Sequence, residues 1–228
     1  MKPLAIRPIV QYPPAPDMND LTRHLFVRAA RALLALLFLA ATPVLAVAAP
    51  PPAVPAYVVD FEDQALPARQ KELLARYANQ VVSWASTDRL VRDAQQQSSA
   101  PLGRERIRQI DAAWQRGEDP EGLATRLGSN DCASALRALI GSNHGFGEAF
   151  VTDSRGAIVC MSRRTSDYWQ GDEAKWTRSW AGGTGAVFVS KVSHDDSTGL
   201  DLMHISVPVR SSGRLIGVLI VGKLLSNS

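Results

Sequence analysis

Cysteine is scarce in this chain of 228 residues: Cys132 and Cys160 are the only two. Histidine is nearly as rare, at positions 24, 144, 194 and 204. Neither set has the spacing of a zinc site, and no metal is expected. His194, Asp195, Asp196 and Asp201 could offer oxygen ligands to a divalent cation, but they read better as an acidic surface turn. No Gly-x-Ser-x-Gly elbow is present, and no nucleophile sits beside a base as acyl-transfer chemistry needs. Gly182-Gly-Thr-Gly185 lacks the Gly-Lys-Ser/Thr that makes a phosphate loop. These absences argue against an enzyme and against a bound cofactor. A basic stripe is missing too. The formal charge is +3, but residues 1–46 hold five basic residues (Lys2, Arg7, Arg23, Arg28, Arg31) against Asp17 and Asp20. Removing those from totals of 25 and 22 leaves 20 of each sign. Without surplus cations to displace counterions, nucleic acid is not an expected partner.

The one long apolar run lies near the start. Arg23, Arg28 and Arg31 precede an apolar stretch from Ala32 to Ala41, Pro43 interrupts it, and Val44-Leu45-Ala46 has the small-residue ending of a cleavage site. Residues 1–49 therefore read as a secretion signal, with Met18 as an alternative start. The competing reading is an uncleaved anchor, since the apolar run to Ala49 is close to the lower limit for a membrane span. In either case the expectation is a periplasmic or secreted protein, in contact with membrane only if the segment stays attached. Residues 50–60 form a Pro/Ala linker, and 61–228 one domain.

From Asp60, apolar residues recur at helical spacing: Leu66, Leu73, Leu74, Tyr77, Val81, Trp84, Leu90 and Val91. That pattern predicts one helix of about eight turns, lying on a sheet or forming a dimer seam. Gln95–Ala100 reads as a loop. A second helix is expected over Arg104–Gln115 and a short one over Glu121–Leu127. A further helix is capped by Asn130 or Asp131 and stops at Gly141. The period then changes to two. Strands are expected at 147–152, 157–162, 185–192, 200–210 and 214–224, the first pair joined by Asp153-Ser-Arg-Gly156 with Gly at the positive-φ position. Met203, Ile205, Val207 and Val209 face one way and Leu202, His204, Ser206 and Pro208 the other. Pro208 suggests a sheet edge or an irregularity. Short links make the sheet antiparallel. The fold class is α+β: five antiparallel strands with a long N-terminal helix on one face.

Three of the five Trp fall between strands two and three, in Thr165-Ser-Asp-Tyr-Trp-Gln-Gly-Asp-Glu-Ala-Lys-Trp-Thr-Arg-Ser-Trp180. Asp172 is placed to cap a short helix in which Trp176 and Trp180, four apart, share a face. An aromatic, charged insertion between strands suits a small-molecule pocket; aromatics at helical spacing equally suit a core.

The hairpin Val151-Thr-Asp-Ser-Arg-Gly-Ala-Ile-Val159, the segment Asp167-Tyr-Trp-Gln-Gly-Asp-Glu-Ala-Lys-Trp176 and the final strand Leu215-Ile-Gly-Val-Leu-Ile-Val221 resemble the Cache or PDC extracytoplasmic sensor domain, a PAS-like ligand-binding fold. The resemblance covers about residues 62–226. It implies a non-catalytic sensor for a small organic anion or amino acid, served by a membrane sensor or transporter protein. Relatives in that family continue through a second membrane helix, whereas here Ser228 follows the last strand, so direct signalling through the C-terminus is not expected.

In such a pocket Tyr168, Trp169, Trp176 and Trp180 would supply walls, with phenol and indole donors at their rims. Arg163, Arg164 and Lys175 would hold a carboxylate, Asp167 an amine, and His204 and Ser206 would reach in from the mixed face of the fourth strand. In an oxidising compartment Cys132 and Cys160 would pair, closing a loop worth roughly 3 kcal/mol; two buried thiols are the alternative. The rival functional readings are a dimerising adaptor acting through the long helix with a degenerate pocket, and an exported enzyme using His204 or a Cys.

Overall fold

A computed structural model of the chain describes residues 57–195 and 200–225. The secretion signal or anchor, the start at Met18 and the Pro/Ala stretch before residue 57 lie outside the described residues, as does Asp196. The sheet begins earlier than its apolar pattern announces, with a short strand β1, Val59–Phe61.

The long helix is two helices. The first, α1, spans Ala68–Trp84, and α2 spans Asp88–Ser99. The chain turns at Ala85–Thr87, where the Thr87 amide donates to the Trp84 carbonyl (2.9 Å) and Thr87 itself is extended. Asp88 then opens α2 with a negative charge in its first turn, favourable beside the orphan amides there. The apolar spacing runs through the break because both stripes, Leu74, Ala78, Val81 and Val82 and then Leu90 and Ala94, enter the same core. The expected loop at Gln95–Ala100 is also helical as far as Ser99. Two of its polar side chains, Gln97 and Ser98, bond to the sheet. Gln97 donates to Asp153 (3.1 Å) and to the Ile158 carbonyl (3.2 Å), and the Ser98 hydroxyl donates to the Ile216 carbonyl (2.6 Å).

Helix α3 occupies Arg104–Gln115 as expected. A 3-10 turn at Pro120–Gly122 leads into α4, Leu123–Ser129, and α5 spans Asp131–Gly141. Asn130 is the cap of α5, its side chain accepting from the Ala133 amide at 2.8 Å.

Strand β2 (Phe146–Asp153) and β3 (Ile158–Met161) form the first hairpin, with Gly156 at φ +83°. After the insertion come β4 (Val187–Val189), β5 (Ser193–Asp195), β6 (Leu200–Ser211) and β7 (Arg214–Leu224). The order is β1-β4-β6-β7-β2-β3, with β5 also paired to β6. Five of these seven strands are the expected antiparallel set. The two additions are β5, where the acidic turn was read, and β1, which pairs parallel to β4. Pro208 is tolerated inside the long β6 because β4 pairs with β6 only through Phe188↔Ser206 and Val189↔Ile205, so no ladder partner from β4 reaches it.

The N-terminal helical stretch covers one face of the sheet, as expected, and further helices cover the other. The α1, α2 and α5 side chains pack with Met203, Ile205, Val207 and Val209 in the larger core. Burying each such Val or Ile contributes about 1.5–3 kcal/mol. The opposite face, with Phe150, Val218 and Ile220, packs against α3, α4 and the insertion. Cys132 on α5 and Cys160 on β3 form a disulfide, their Cα atoms 5.8 Å apart, within the reach a bridge requires.

Candidate ligand-binding cleft

The insertion is held at both ends by specific bonds. Its first part runs beside β3: Ile158 donates to the Tyr168 carbonyl (3.1 Å) and Gln170 to the Gly156 carbonyl (2.8 Å). Glycine is required where the two strands touch. A Cβ on Gly156 would stand 2.7 Å from the Gly171 backbone, and one on Gly171 would run into the Trp169 indole. Asp111 of α3 fastens the same segment from the other side. One of its oxygens, Oδ1, accepts from the amides of Tyr168 (2.8 Å) and Trp169 (2.9 Å). Burial raises the Asp111 pKa above its ordinary 3.8, against the lowering effect of those two amides; Asp167 and Asp172 raise it further.

The second part is a helix, α6, Ala174–Trp180. Asp172 does not cap it. Glu173 occupies the cap position without a side-chain bond, and Asp172 is exposed. Trp176 and Trp180 share a face as their spacing requires, stacked at 5.3 Å with 10° between planes. The helix packs across β4, β6 and β7. Arg178 on its far side grips Asp60 of β1 by two bonds (2.8 and 2.5 Å) and lies over the Phe188 ring.

Between α3, the β2–β3 turn and the insertion lies an open cleft of about 950 Å³. Trp169, Trp176 and Trp180 line it, with Ile107 and Gly171. Its cations are Arg104 and Arg108, one turn apart on α3, and Arg155 in the hairpin turn beside Ser154. Two indole N–H groups are already spent: Trp169 donates to the Arg155 carbonyl (2.7 Å) and Trp176 to the Thr152 hydroxyl (3.0 Å). These rings therefore offer apolar surface and no donor, contrary to the expectation of indole donors at the rim.

Three of the ten residues expected in the pocket, Trp169, Trp176 and Trp180, thus line this cleft. Tyr168 is next to it but packed in the core against Trp114, 5.7 Å between centroids, and burial drives its phenol pKa upward. The expected cations are elsewhere. Arg163 is exposed. Arg164 is committed to the carbonyls of Trp114 (3.1 Å) and Glu118 (2.6 Å). Lys175 lies over the Phe150 ring at 6.0 Å. Asp167 accepts from Ser166 (2.9 Å) and does not line the cleft. His204 and Ser206 lie on the same side of β6, but away from the cleft: His204 Nε2 is 3.1 Å from Glu148 Oε1, and the Ser206 hydroxyl is buried without a partner among the described residues. His194 pairs with Asp201 at 3.0 Å. Arg104, Arg108 and Arg155 were the missed residues. A signal existed for two of them, since Arg104 and Arg108 flank Ile107 on the helix read at 104–115.

No family model matches this chain, and no curated protein matches it. Solved structures do. The ligand-binding domain of the Campylobacter jejuni chemoreceptor Tlp3, in complex with L-norvaline, is 15% identical over 68% of this chain and 57% of that one, with a TM-score of 0.36. The ligand-binding domain of the Pseudomonas aeruginosa amino acid chemoreceptor PctC, in complex with GABA, is 21% identical over 49% and 57%, at 0.32. An extracellular ligand-binding receptor from Desulfohalobium retbaense is 20% identical over 59% and 24%, at 0.34. The present chain thus spans just over half the length of the two chemoreceptor domains. The α+β architecture rests on the strand order of this chain itself. Among the described residues no helix is long and apolar enough to cross a membrane.

Proposed function

We propose that this chain is an extracytoplasmic sensor domain of the Cache type that binds a small organic anion and performs no catalysis. The observation that carries the reading is the cleft itself: three guanidinium groups and three indoles around about 950 Å³. Apolar walls with a few convergent charges are the usual make-up of a small-ligand site, and Arg offers a carboxylate two parallel bonds. The disulfide suits an oxidising compartment. It also occupies both sulfurs, so the enzyme reading loses its thiol, and His204 is engaged with Glu148. An adaptor acting through the long helix would have a filled pocket and a bare apolar face. On α1 the exposed large apolar side chain is Leu73, at 49%, among Arg69, Glu72 and Arg76. A membrane sensor or transporter protein is the partner this reading implies.

Thermal unfolding of the purified chain against a panel of small carboxylates, amines and neutral solutes tests it. Carboxylates should raise the midpoint, since a ligand that binds only the folded state stabilises it by mass action. A midpoint moved by amines or neutral solutes alone would refute the anion site.

A further inference from the structure

Resting on the anion-binding reading, we infer that the ligand is an aromatic carboxylate without an ammonium group. Two features of the cleft lead there. The first is the form of its apolar wall. Trp176 and Trp180 are stacked with their planes 10° apart, so each covers one face of the other, and Trp176 is buried; Trp180 and Trp169 present ring surface to the cleft. The N–H groups of Trp169 and Trp176 are turned into the protein, to the Arg155 carbonyl and the Thr152 hydroxyl. What remains for a ligand is ring surface, which a planar ring fits by offset stacking or edge contact.

The second feature is the sign of the charges. Arg104, Arg108 and Arg155 line the cleft, and among the described residues no Asp or Glu does. Of the acids near it in the chain, Asp172 and Glu173 follow the lining Gly171 without lining the cleft, and Asp172 is exposed. Glu105 pairs with Arg108 (3.3 Å) and Asp111 holds two backbone amides. Asp167, the residue expected to take an amine, bonds Ser166 and lies outside. An α-amino acid would bring its carboxylate to the arginines and its ammonium into the same positive field, with no carboxylate to receive it. Like charges that close disfavour binding. A ring bearing a carboxylate satisfies both walls.

Matched pairs test this by isothermal titration calorimetry on the full chain. 3-Phenylpropionate and L-phenylalanine differ by the ammonium, and benzoate and cyclohexanecarboxylate by aromaticity. The first member of each pair should bind at least tenfold more tightly. L-Phenylalanine binding as well as 3-phenylpropionate, or cyclohexanecarboxylate as well as benzoate, would overturn the inference while leaving an anion site in place. If no carboxylate binds, in a sample whose cooperative unfolding shows it to be folded, the anion-binding reading falls as well. The exposed Arg104 supplies an independent check, since its replacement touches no core contact: Arg104→Gln should weaken 3-phenylpropionate at least fivefold, and an unchanged affinity would place the carboxylate elsewhere.

Discussion

Glu148 and His204 meet across an intervening strand. Glu148 stands on β2 and His204 on β6, both paired to Gly222 of β7 between them. Glycine there leaves room for Oε1 and Nε2 to approach to 3.1 Å; a Cβ on Gly222 would stand 2.9 Å from Glu148 Cγ. The two side chains are 5% and 11% exposed. Removing one partner of a buried hydrogen-bonded pair leaves the other unsatisfied and costs about 1–3 kcal/mol. His204→Ala should therefore lower the urea-unfolding free energy by about 1–3 kcal/mol, and Gly222→Ala should destabilise by forcing the pair apart. The double replacement Glu148→Leu/His204→Leu should recover most of the loss. A His204→Ala variant as stable as the wild type would show that the contact contributes nothing.

Asp111 gives a pH dependence whose sign follows from its raised pKa. A carboxyl that holds its proton more tightly when folded contributes stability fully below 3.8, and that contribution is lost as pH rises through the higher folded value. Asp111→Asn keeps an oxygen to accept the Tyr168 and Trp169 amides and removes the cost of burying a charge. The variant should be at least as stable as the wild type at pH 7, with the difference narrowing as pH falls toward 4. Urea midpoints across that range measure it; a variant weaker at pH 7 than at pH 4, relative to wild type, would reverse the sign.

The disulfide between Cys132 and Cys160 closes a separation of 28 residues, which in the chain-entropy model stabilises by about 3 kcal/mol. Cys132→Ser/Cys160→Ser should unfold at correspondingly lower urea, and the intact protein should weigh two protons less before reduction than after. Two thiols that alkylate freely in the purified protein would contradict this.

How legible all this was depended on the range of the interactions. The hairpin at Gly156, the bounds of α3 and the alternation along β6 are local patterns, and each stood in the sequence. The break at Ala85–Thr87 was hidden because Trp84 and Val91, seven apart, keep the helical spacing across it while serving one core. Gln97 and Ser98 read as loop because their partners, Asp153 and Ile216, are far along the chain. Strand β1 is three residues long and gains its meaning from pairing to Val187–Val189. The Trp residues of the cleft were found by composition. Its arginines were not, because Arg104 and Arg155 come together only after α3 crosses the hairpin turn, while the nearer Arg164 is drawn away to the carbonyls of Trp114 and Glu118.

The proposed anion site at α3 and the hairpin turn is tested most directly by titrating one carboxylate, 3-phenylpropionate, into the wild type, Arg104→Gln/Arg108→Gln and Arg163→Gln. Loss of two guanidinium contacts should weaken binding at least tenfold, about 1.4 kcal/mol, while Arg163→Gln, altered at an exposed cation outside the cleft, should leave it unchanged. Equal affinity in the wild type and the double variant, with binding lost in Arg163→Gln, would contradict the assignment and move the site to the start of the insertion.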